Sequence, residues 1–268
     1  MNFSVLILTL NEEKNLKACL ESVKWCDDIV VLDSFSTDRT KQIAEDLGAR
    51  VFERKFDDFA SQRNHALRNI PYKHQWLFHL DADERFTPEL YQECLEAAGS
   101  SDHDGYLVPA KIYFMNQWIR HSTDYPVYQT RFVRPSTFEY EQSGHGQREK
   151  PGMKIGKMKN SYLHYPVSHG ISDWVKKHDR YSTDEAVAGL AKSNGRAARL
   201  LDLFHRDALV RRRSLKALSA GLPFRPAIRF IYQYFFKLGF LDGYPGFCYC
   251  RMLGMYELMT ALKRKELR

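Results

Sequence analysis

The sequence has no uninterrupted apolar stretch of the roughly 18 to 20 residues that a membrane-spanning helix needs, which excludes a transmembrane reading. Its first apolar run, Val5 to Leu10, is about half the length of a signal-peptide core, follows no basic residue and ends in Asn11-Glu12-Glu13, so the expected location is the cytoplasm. Cysteine is scarce. Cys19, Cys26, Cys94, Cys248 and Cys250 are an odd number with no CxxC pair, so neither a disulfide framework nor a cysteine zinc site is expected, and the thiols read as small reduced hydrophobes. The chain also lacks internal repeats and low-complexity segments. The turn Asn11 to Asn15 contains no glycine, which argues against a nucleotidyltransferase with a glycine-rich phosphate loop after its first strand.

What is present is an ordinary globular composition, 268 residues with 44% hydrophobic and 27% charged, enough to bury a sizeable core. The formal net charge of +7 points to an anionic partner: a phosphate, a nucleic acid or a lipid headgroup surface.

The first hundred residues alternate two periodicities. Short runs at Phe3 to Thr9, Ile29 to Leu32, Arg50 to Glu53 and Trp76 to Leu80 read as strands. Between them lie helical segments: one through Leu16, Leu20 and Val23, one opening at Thr37 and closing at Leu47-Gly48, and one through Ala60, Ala66 and Leu67. Thr87-Pro88 opens a further helix that runs to about Ala98. Repeated strand-helix units predict an α/β fold with a mostly parallel, doubly wound sheet, whose ligands lie outside the carboxyl ends of the strands. From Gly105 to about Leu163 short β-like pieces rich in tyrosine, phenylalanine and arginine follow, and from about Ser172 the pattern turns helical again. The expected division is a nucleotide-binding and catalytic domain over 1–165 and a helical, basic C-terminal region over 166–268 that packs on the first, lies on a membrane surface, or does both. Arg199 to Ala220 has the pattern of a basic amphipathic helix suited to an anionic membrane, and Ile228 to Phe240 is dense in aromatics yet too short to span one.

The strand-end residues carry the chemistry. Asp81-Ala82-Asp83, two carboxylates flanking a small residue after a buried strand, can hold Mg²⁺ or Mn²⁺ together with a diphosphate, since hard divalent ions take oxygen ligands. A chance surface turn gives the same three letters. Asp33, followed by Ser34, Ser36 and Thr37, can hydrogen-bond a ribose or base, while Ser36 or Thr37 equally serves as a helix cap. Thr9, Asn11 and Glu12 either touch a nucleotide or, for Asn11, cap a helix; Arg63 is either a phosphate contact or a solvated charge. Trp118 and its aromatic neighbours either stack on acceptor sugar rings or belong to the core, and Arg120, His121 and Arg131 either face an anionic acceptor or are surface charge.

Taken in order, Leu8-Thr9-Leu10-Asn11-Glu12-Glu13, Val30 to Asp38, Phe59-Ala60-Ser61-Gln62-Arg63-Asn64 and Leu80-Asp81-Ala82-Asp83-Glu84 resemble the family 2 inverting glycosyltransferases of GT-A fold. The resemblance is to the branch that includes lipopolysaccharide-core β-1,4-glucosyltransferases and related exopolysaccharide enzymes, and it extends to Gly239-Phe240-Leu241-Asp242-Gly243 and Tyr256-Glu257. It implies that Thr9, Asn11, Glu12 and Asp33 form the nucleotide pocket, that Arg63 lies near the nucleotide or its phosphates, and that Asp81 lies beside the ribose or sugar. It implies Asp83 as the main ligand of a Mg²⁺ or Mn²⁺ on the diphosphate. It further implies a carboxylate general base after the sheet, where the branch carries a His-Glu pair. This sequence departs there, reading Ser143-Gly144-His145-Gly146-Gln147-Arg148-Glu149; Glu149 ranks first as the base, His145 second and Glu141 third.

The leading expectation is therefore a cytoplasmic, peripherally membrane-bound inverting glycosyltransferase. It would use a nucleoside-diphosphate sugar, a UDP-sugar favoured, and a lipid-linked, lipopolysaccharide or exopolysaccharide acceptor at an anionic membrane surface. One alternative is a catalytically inactive homologue acting as a partner subunit. The other, a nucleic-acid-binding protein, is disfavoured because the strand ends are acidic and repel phosphate unless a metal intervenes, so nucleic acid is not an expected partner.

Overall fold

Burial along the first strand alternates between two cores. In the computed structural model, which describes residues 2–100, 102–143, 146–193, 204–205, 211, 214 and 224–267, β1 (Ser4–Thr9) sends Val5 and Ile7 to one side of the sheet and Leu6 to the other. The strands β2 (Ile29–Asp33) and β4 (Leu77–Asp81) do the same, with Val31, Phe78 and Leu80 on the first side and Val30, Leu32 and Leu77 on the second. Both faces of the sheet are buried, so these strands are apolar apart from the buried Ser4 and His79 until their carboxyl ends turn polar.

The helices divide between the faces accordingly. Leu16, Cys19 and Leu20 of α1 (Leu16–Ser22), Ala44 of α2 (Thr40–Asp46) and Leu90 and Cys94 of α4 (Pro88–Ser100) pack on the first side. Ala60, Ala66 and Leu67 of α3 (Phe59–Asn69) pack on the second. With β3 (Arg50–Glu53) at the edge, the order β3-β2-β1-β4 is parallel throughout. Chain direction across the sheet reverses at β1, because β2 and β3 extend to one side and β4 to the other. Such a switch point opens a crevice at the strand ends.

Beyond β4 the sheet becomes mixed. β5 (Glu84–Arg85), β6 (Gly105–Phe114), β7 (Gln117–Trp118), β8 (Val127–Val133), β11 (Ile155–Lys157) and β12 (Tyr162–His164) continue it, with β8 antiparallel to both β4 and β6, and β12 parallel to β6 and antiparallel to β5. The strands β9 (Tyr140–Ser143) and β10 (Gly146–Glu149) form a separate antiparallel ribbon. An aromatic cluster ties the halves of the sheet together, with Phe3 edge-on to Phe132 at 5.2 Å and Phe132 stacked on Trp76 at 4.7 Å between ring centroids.

The α/β, Rossmann-like sheet followed by helices is the architecture expected from the sequence. Two local details differ. The second helix starts at Thr40 rather than Thr37, because Asp38 accepts from the Thr40 amide and hydroxyl. Asn11 caps no helix of its own. It has a positive φ of 56°, and its side chain accepts from the Thr37 amide across the crevice.

The chain divides into two compact units, residues 1–120 with 124–170, and residues 121–123 with 171–268. The second unit is helical, comprising α5 (Ile171–Ser193), α6 (Arg225–Ile231) continued by a π-helical turn over Tyr232–Phe236, a 3-10 turn over Gly239–Asp242, and α7 (Gly243–Glu266). Within it the Asp242 carboxylate accepts from the amides of His121 and Ser122 and from the Ser122 hydroxyl. The amphipathic segment expected over Arg199 to Ala220 lies almost wholly outside the described residues. All five cysteines are free thiols, and among the described residues no helix is long and apolar enough to cross a membrane.

Candidate active site

The ends of β1 and β2 are laced together by short polar side chains. Thr9 and Asp33 are register partners, and the Thr9 hydroxyl donates to Asp33 Oδ1 at 2.7 Å. Asp33 also accepts from the Ser36 amide and hydroxyl, both at 2.6 Å. The Asn11 amide donates to Ser36 Oγ, and the Glu12 amide to Thr40 Oγ1, each at 2.8 Å. The two βα loops thus form one cradle of carboxylate, hydroxyl and amide groups. Two non-glycine residues on its rim, Asn11 and Phe35, have φ of 56° and 61°. Asparagine tolerates that region by local hydrogen bonding, whereas for phenylalanine it costs about 1–3 kcal/mol. The Phe35 and Leu10 side chains project from this rim into solvent.

The Glu12 carboxylate is held by Asn15 Nδ2 at 2.7 Å and His169 Nε2 at 2.8 Å, and Asn15 also reaches Ser168. The loop after β12 is therefore tied to the loop after β1, a link over 150 residues of sequence that no local pattern announces.

At the end of β4, Asp81 receives one guanidinium on each oxygen, Arg63 Nη2 on Oδ1 and Arg131 Nη2 on Oδ2, both at 2.7 Å. Arg131 also donates to Glu84 at 2.6 Å, and the Asp81 amide donates to Glu84 at 2.8 Å. Both arginines are 1% exposed. Burial would raise the Asp81 carboxyl, but the Arg131 and Arg63 charges overcome it and hold that group well below the usual carboxylate range. Glu84 is fully buried and its carboxyl is pushed up to about 7 by burial, against the pull of Arg131. Neighbouring His79 is buried with no protein partner on either ring nitrogen, and burial together with Arg63 and Arg131 keeps it neutral. Arg131 accordingly does not face an acceptor; it is an internal counter-charge to Asp81 and Glu84. Nε and Nη1 of both arginines have no protein hydrogen-bond acceptor.

Asp83 is turned the other way. Its Oδ2 lies 3.4 Å from His164 Nε2, with both side chains partly accessible. Asp83, Glu84 and His164 each offer a ligand atom, all within 4.8 Å of one another. The oxygens of Glu84 are already occupied by Arg131 and the Asp81 amide, so Asp83 and His164 are the pair whose chemistry fits a divalent cation with open positions. Burial would lower the His164 pKa, but the adjoining Asp83 and Glu84 carboxylates raise it. His164 was not among the residues singled out from the sequence; its partner, 81 positions earlier, becomes its neighbour only because β12 pairs with β5.

Glu149 on β10 accepts from Thr130 Oγ1 at 2.9 Å, and the Tyr140 hydroxyl donates to the Thr130 carbonyl at 2.9 Å. Thr130 immediately precedes Arg131, which joins Glu149 to the Asp81 cluster. Glu141 is engaged by Arg148 at 2.6 Å. His145 lies outside the described residues. Trp118 is half-buried, with Lys111 5.0 Å and Arg120 5.8 Å from its ring centroid.

With this geometry established, similarity to known proteins decides the family. The model of Glycosyl transferase family 2 matches residues 4–160, more than half of the chain. The chain belongs to this family. Its relatives include the lipopolysaccharide core biosynthesis glycosyltransferase LpsC of Rhizobium meliloti (strain 1021), 26% identical over 97% of this chain and 90% of that protein. An uncharacterized glycosyltransferase of Rickettsia bellii is 34% identical over 122 residues, 45% of this chain and 40% of its own length. The chain thus spans about two fifths of the Rickettsia relatives it matches. Among solved structures, S. aureus TarS 1-349 in complex with UDP-GlcNAc aligns over 100% of this chain and 93% of that chain, with 14% identity and a TM-score of 0.46.

Proposed function

We propose that the protein transfers a sugar from a nucleoside-diphosphate sugar, a UDP-sugar by preference, to a saccharide acceptor of the lipopolysaccharide, exopolysaccharide or lipid-linked class, with inversion at the anomeric carbon. The observation that carries this reading is the juxtaposition, at the carboxyl ends of β1, β2 and β4, of a hydroxyl and carboxylate cradle with an Asp83–His164 pair. Family membership and the likeness to LpsC support the reaction class.

In this reading Thr9, Asn11, Glu12 and Asp33 hold the nucleoside, with Phe35 against the base. Asp81, fixed by Arg63 and Arg131, faces the ribose or transferred sugar with its charge balanced before the donor arrives. Pre-paired groups of this kind need no reorganisation during reaction. Asp83, with His164 beside it, would hold Mg²⁺ or Mn²⁺, which when bound would supply compensation for the charge of the leaving diphosphate. Glu149, oriented by Thr130, takes the proton of the acceptor hydroxyl as that oxygen attacks the anomeric carbon. The glycosidic bonding pair departs with the nucleoside diphosphate on the opposite face. His145 and Glu141 are the secondary choices for the base, and the Arg148 contact of Glu141 favours Glu149.

Incubation with an α-linked UDP-sugar and a deacylated core oligosaccharide tests the reading. Release of UDP with a β-linked product by NMR is the expected result; an α-linked product contradicts inversion.

A further inference from the structure

Three consecutive residues of α3 reach three different parts of the candidate site. Gln62 Nε2 donates to Ser34 Oγ in the loop after β2 at 3.3 Å, Arg63 Nη2 to Asp81 at 2.7 Å, and Asn64 Nδ2 to the Tyr140 carbonyl of β9 at 2.9 Å. Successive side chains of a helix diverge by about 100°, so one helix can address all three. The first two contacts lie on the donor side. The third goes to the ribbon that carries Glu149.

The pairing within that ribbon explains why an amide side chain stands there. The Lys150 amide donates to the Glu139 carbonyl, so residues 139 and 150 form a hydrogen-bonded pair at the root of the ribbon. In an antiparallel ladder such pairs alternate with pairs whose backbone groups point away from the partner strand. Tyr140 and Glu149 are the next pair, of the second kind. The N–H and C=O of Tyr140 therefore face outward, in a residue that is buried. Asn64 takes both of them. Its Nδ2 donates to the Tyr140 carbonyl and its Oδ1 accepts from the Tyr140 amide, each at 2.9 Å, so the side-chain amide stands in for a third strand.

The ribbon is a two-stranded sheet of its own. Its ion pair with α3, Arg68 to Glu139 at 2.7 Å, lies at the surface, where such pairs contribute little. Tyr140 and Glu149 stand opposite one another, so their side chains leave the same face of the ribbon, and both end on Thr130. We infer that Asn64 is a positioning residue for Glu149, a role that rests on the reading of Glu149 as the general base. By fixing β9 against α3, it fixes the carboxylate on the neighbouring strand relative to Asp81. Because Arg63 is the adjoining residue, donor site and base are referred to one helix.

Two variants test this. Asn64→Asp keeps the size of the side chain and the acceptor for the Tyr140 amide but sets an oxygen against the Tyr140 carbonyl; Asn64→Ala removes both bonds. With UDP-glucose and a deacylated core oligosaccharide, each is expected to lower kcat about 10- to 100-fold. The KM for UDP-glucose and the calorimetric affinity for UDP with Mn²⁺ are expected to stay within about 3-fold of wild type. Hydrogen–deuterium exchange is expected to quicken about 10-fold in peptides covering 139–149 and to remain unchanged in β1, β2 and β4. Added to Glu149→Gln, Asn64→Asp is expected to cost less than about 3-fold more, because the group it positions is already disabled. Wild-type kcat in Asn64→Asp beside a crippled Glu149→Gln, or unchanged exchange over 139–149, overturns the proposal. So does a loss that multiplies with that of Glu149→Gln, or one matched by an equal loss of UDP affinity, since either marks a general structural role. Normal turnover by Glu149→Gln instead overturns the assignment of the base, and the positioning role falls with it even where Asn64→Asp loosens the ribbon.

Discussion

Asp83 Oδ2 and His164 Nε2 lie 3.4 Å apart, so the loop closing β4 and the last residue of β12 present an oxygen and a nitrogen ligand to one point. If that point is where the donor's metal binds, both residues govern its retention. His164→Ala is expected to raise the Mn²⁺ concentration needed for half-maximal UDP binding by about 10- to 100-fold, measured by titrating metal at fixed UDP. An unchanged requirement would remove His164 from the site.

Glu149→Gln retains shape and the Thr130 contact but cannot take a proton. Donor binding should be preserved and transfer reduced by about 10²- to 10⁴-fold. Near-normal turnover would transfer the role of base to His145 or Glu141.

The Arg131 guanidinium is the counter-charge of both Asp81 and Glu84. Arg131→Met leaves two carboxylates without their common partner in a buried setting, and should destabilise the fold by about 3–5 kcal/mol in urea unfolding. A loss below about 1 kcal/mol would mean that the cluster is accessible to water and not a true interior network.

Away from the site, buried Asp28 accepts from Ser4 Oγ at 2.5 Å, from Arg50 Nη2 at 2.7 Å and from the Lys73 amide at 2.7 Å. Burial opposes ionisation, yet these contacts outweigh it and leave the carboxyl below its ordinary value. The folded state therefore binds this proton less readily than the unfolded chain. The stabilisation is complete above about pH 4 and is lost as pH falls through the lower folded value. Asp28→Asn should cost about 1–3 kcal/mol near neutrality, with the gap to wild type closing in acid. A gap that is constant with pH would contradict the assignment.

Phe35 combines a left-handed backbone with an exposed ring beside the cradle. Phe35→Gly relieves the backbone and gives up no core contact, so stability should change by less than about 1 kcal/mol. Donor affinity should fall about 3- to 10-fold through lost stacking. Unaltered affinity would place the base elsewhere.

Much of this architecture is legible in the chain because its first half is built from local signals. Apolar runs such as Val5 to Leu8 and Ile29 to Leu32 end abruptly in Thr9 and Asp33, and the strand-end rule turns that change of character into a site. The pairing within the site is less legible. Arg131 and His164 reach Asp81 and Asp83 through antiparallel additions to the sheet, 50 and 81 positions away, and nothing in a tyrosine-rich stretch distinguishes a buried counter-charge from a surface arginine. Gly239 to Gly243 is recognisable as a signature, but its physical content is three-dimensional: an aspartate that receives two distant amides and a glycine whose carbonyl touches the next helix.

Calorimetric titration with UDP, GDP and dTDP, each with and without Mn²⁺, on the wild type and on Asp83→Ala, tests the central claim most directly. Metal-dependent binding of one nucleotide, UDP foremost, that disappears in the variant is the predicted result. Failure of all three to bind, or undiminished metal-dependent binding by Asp83→Ala, would contradict it.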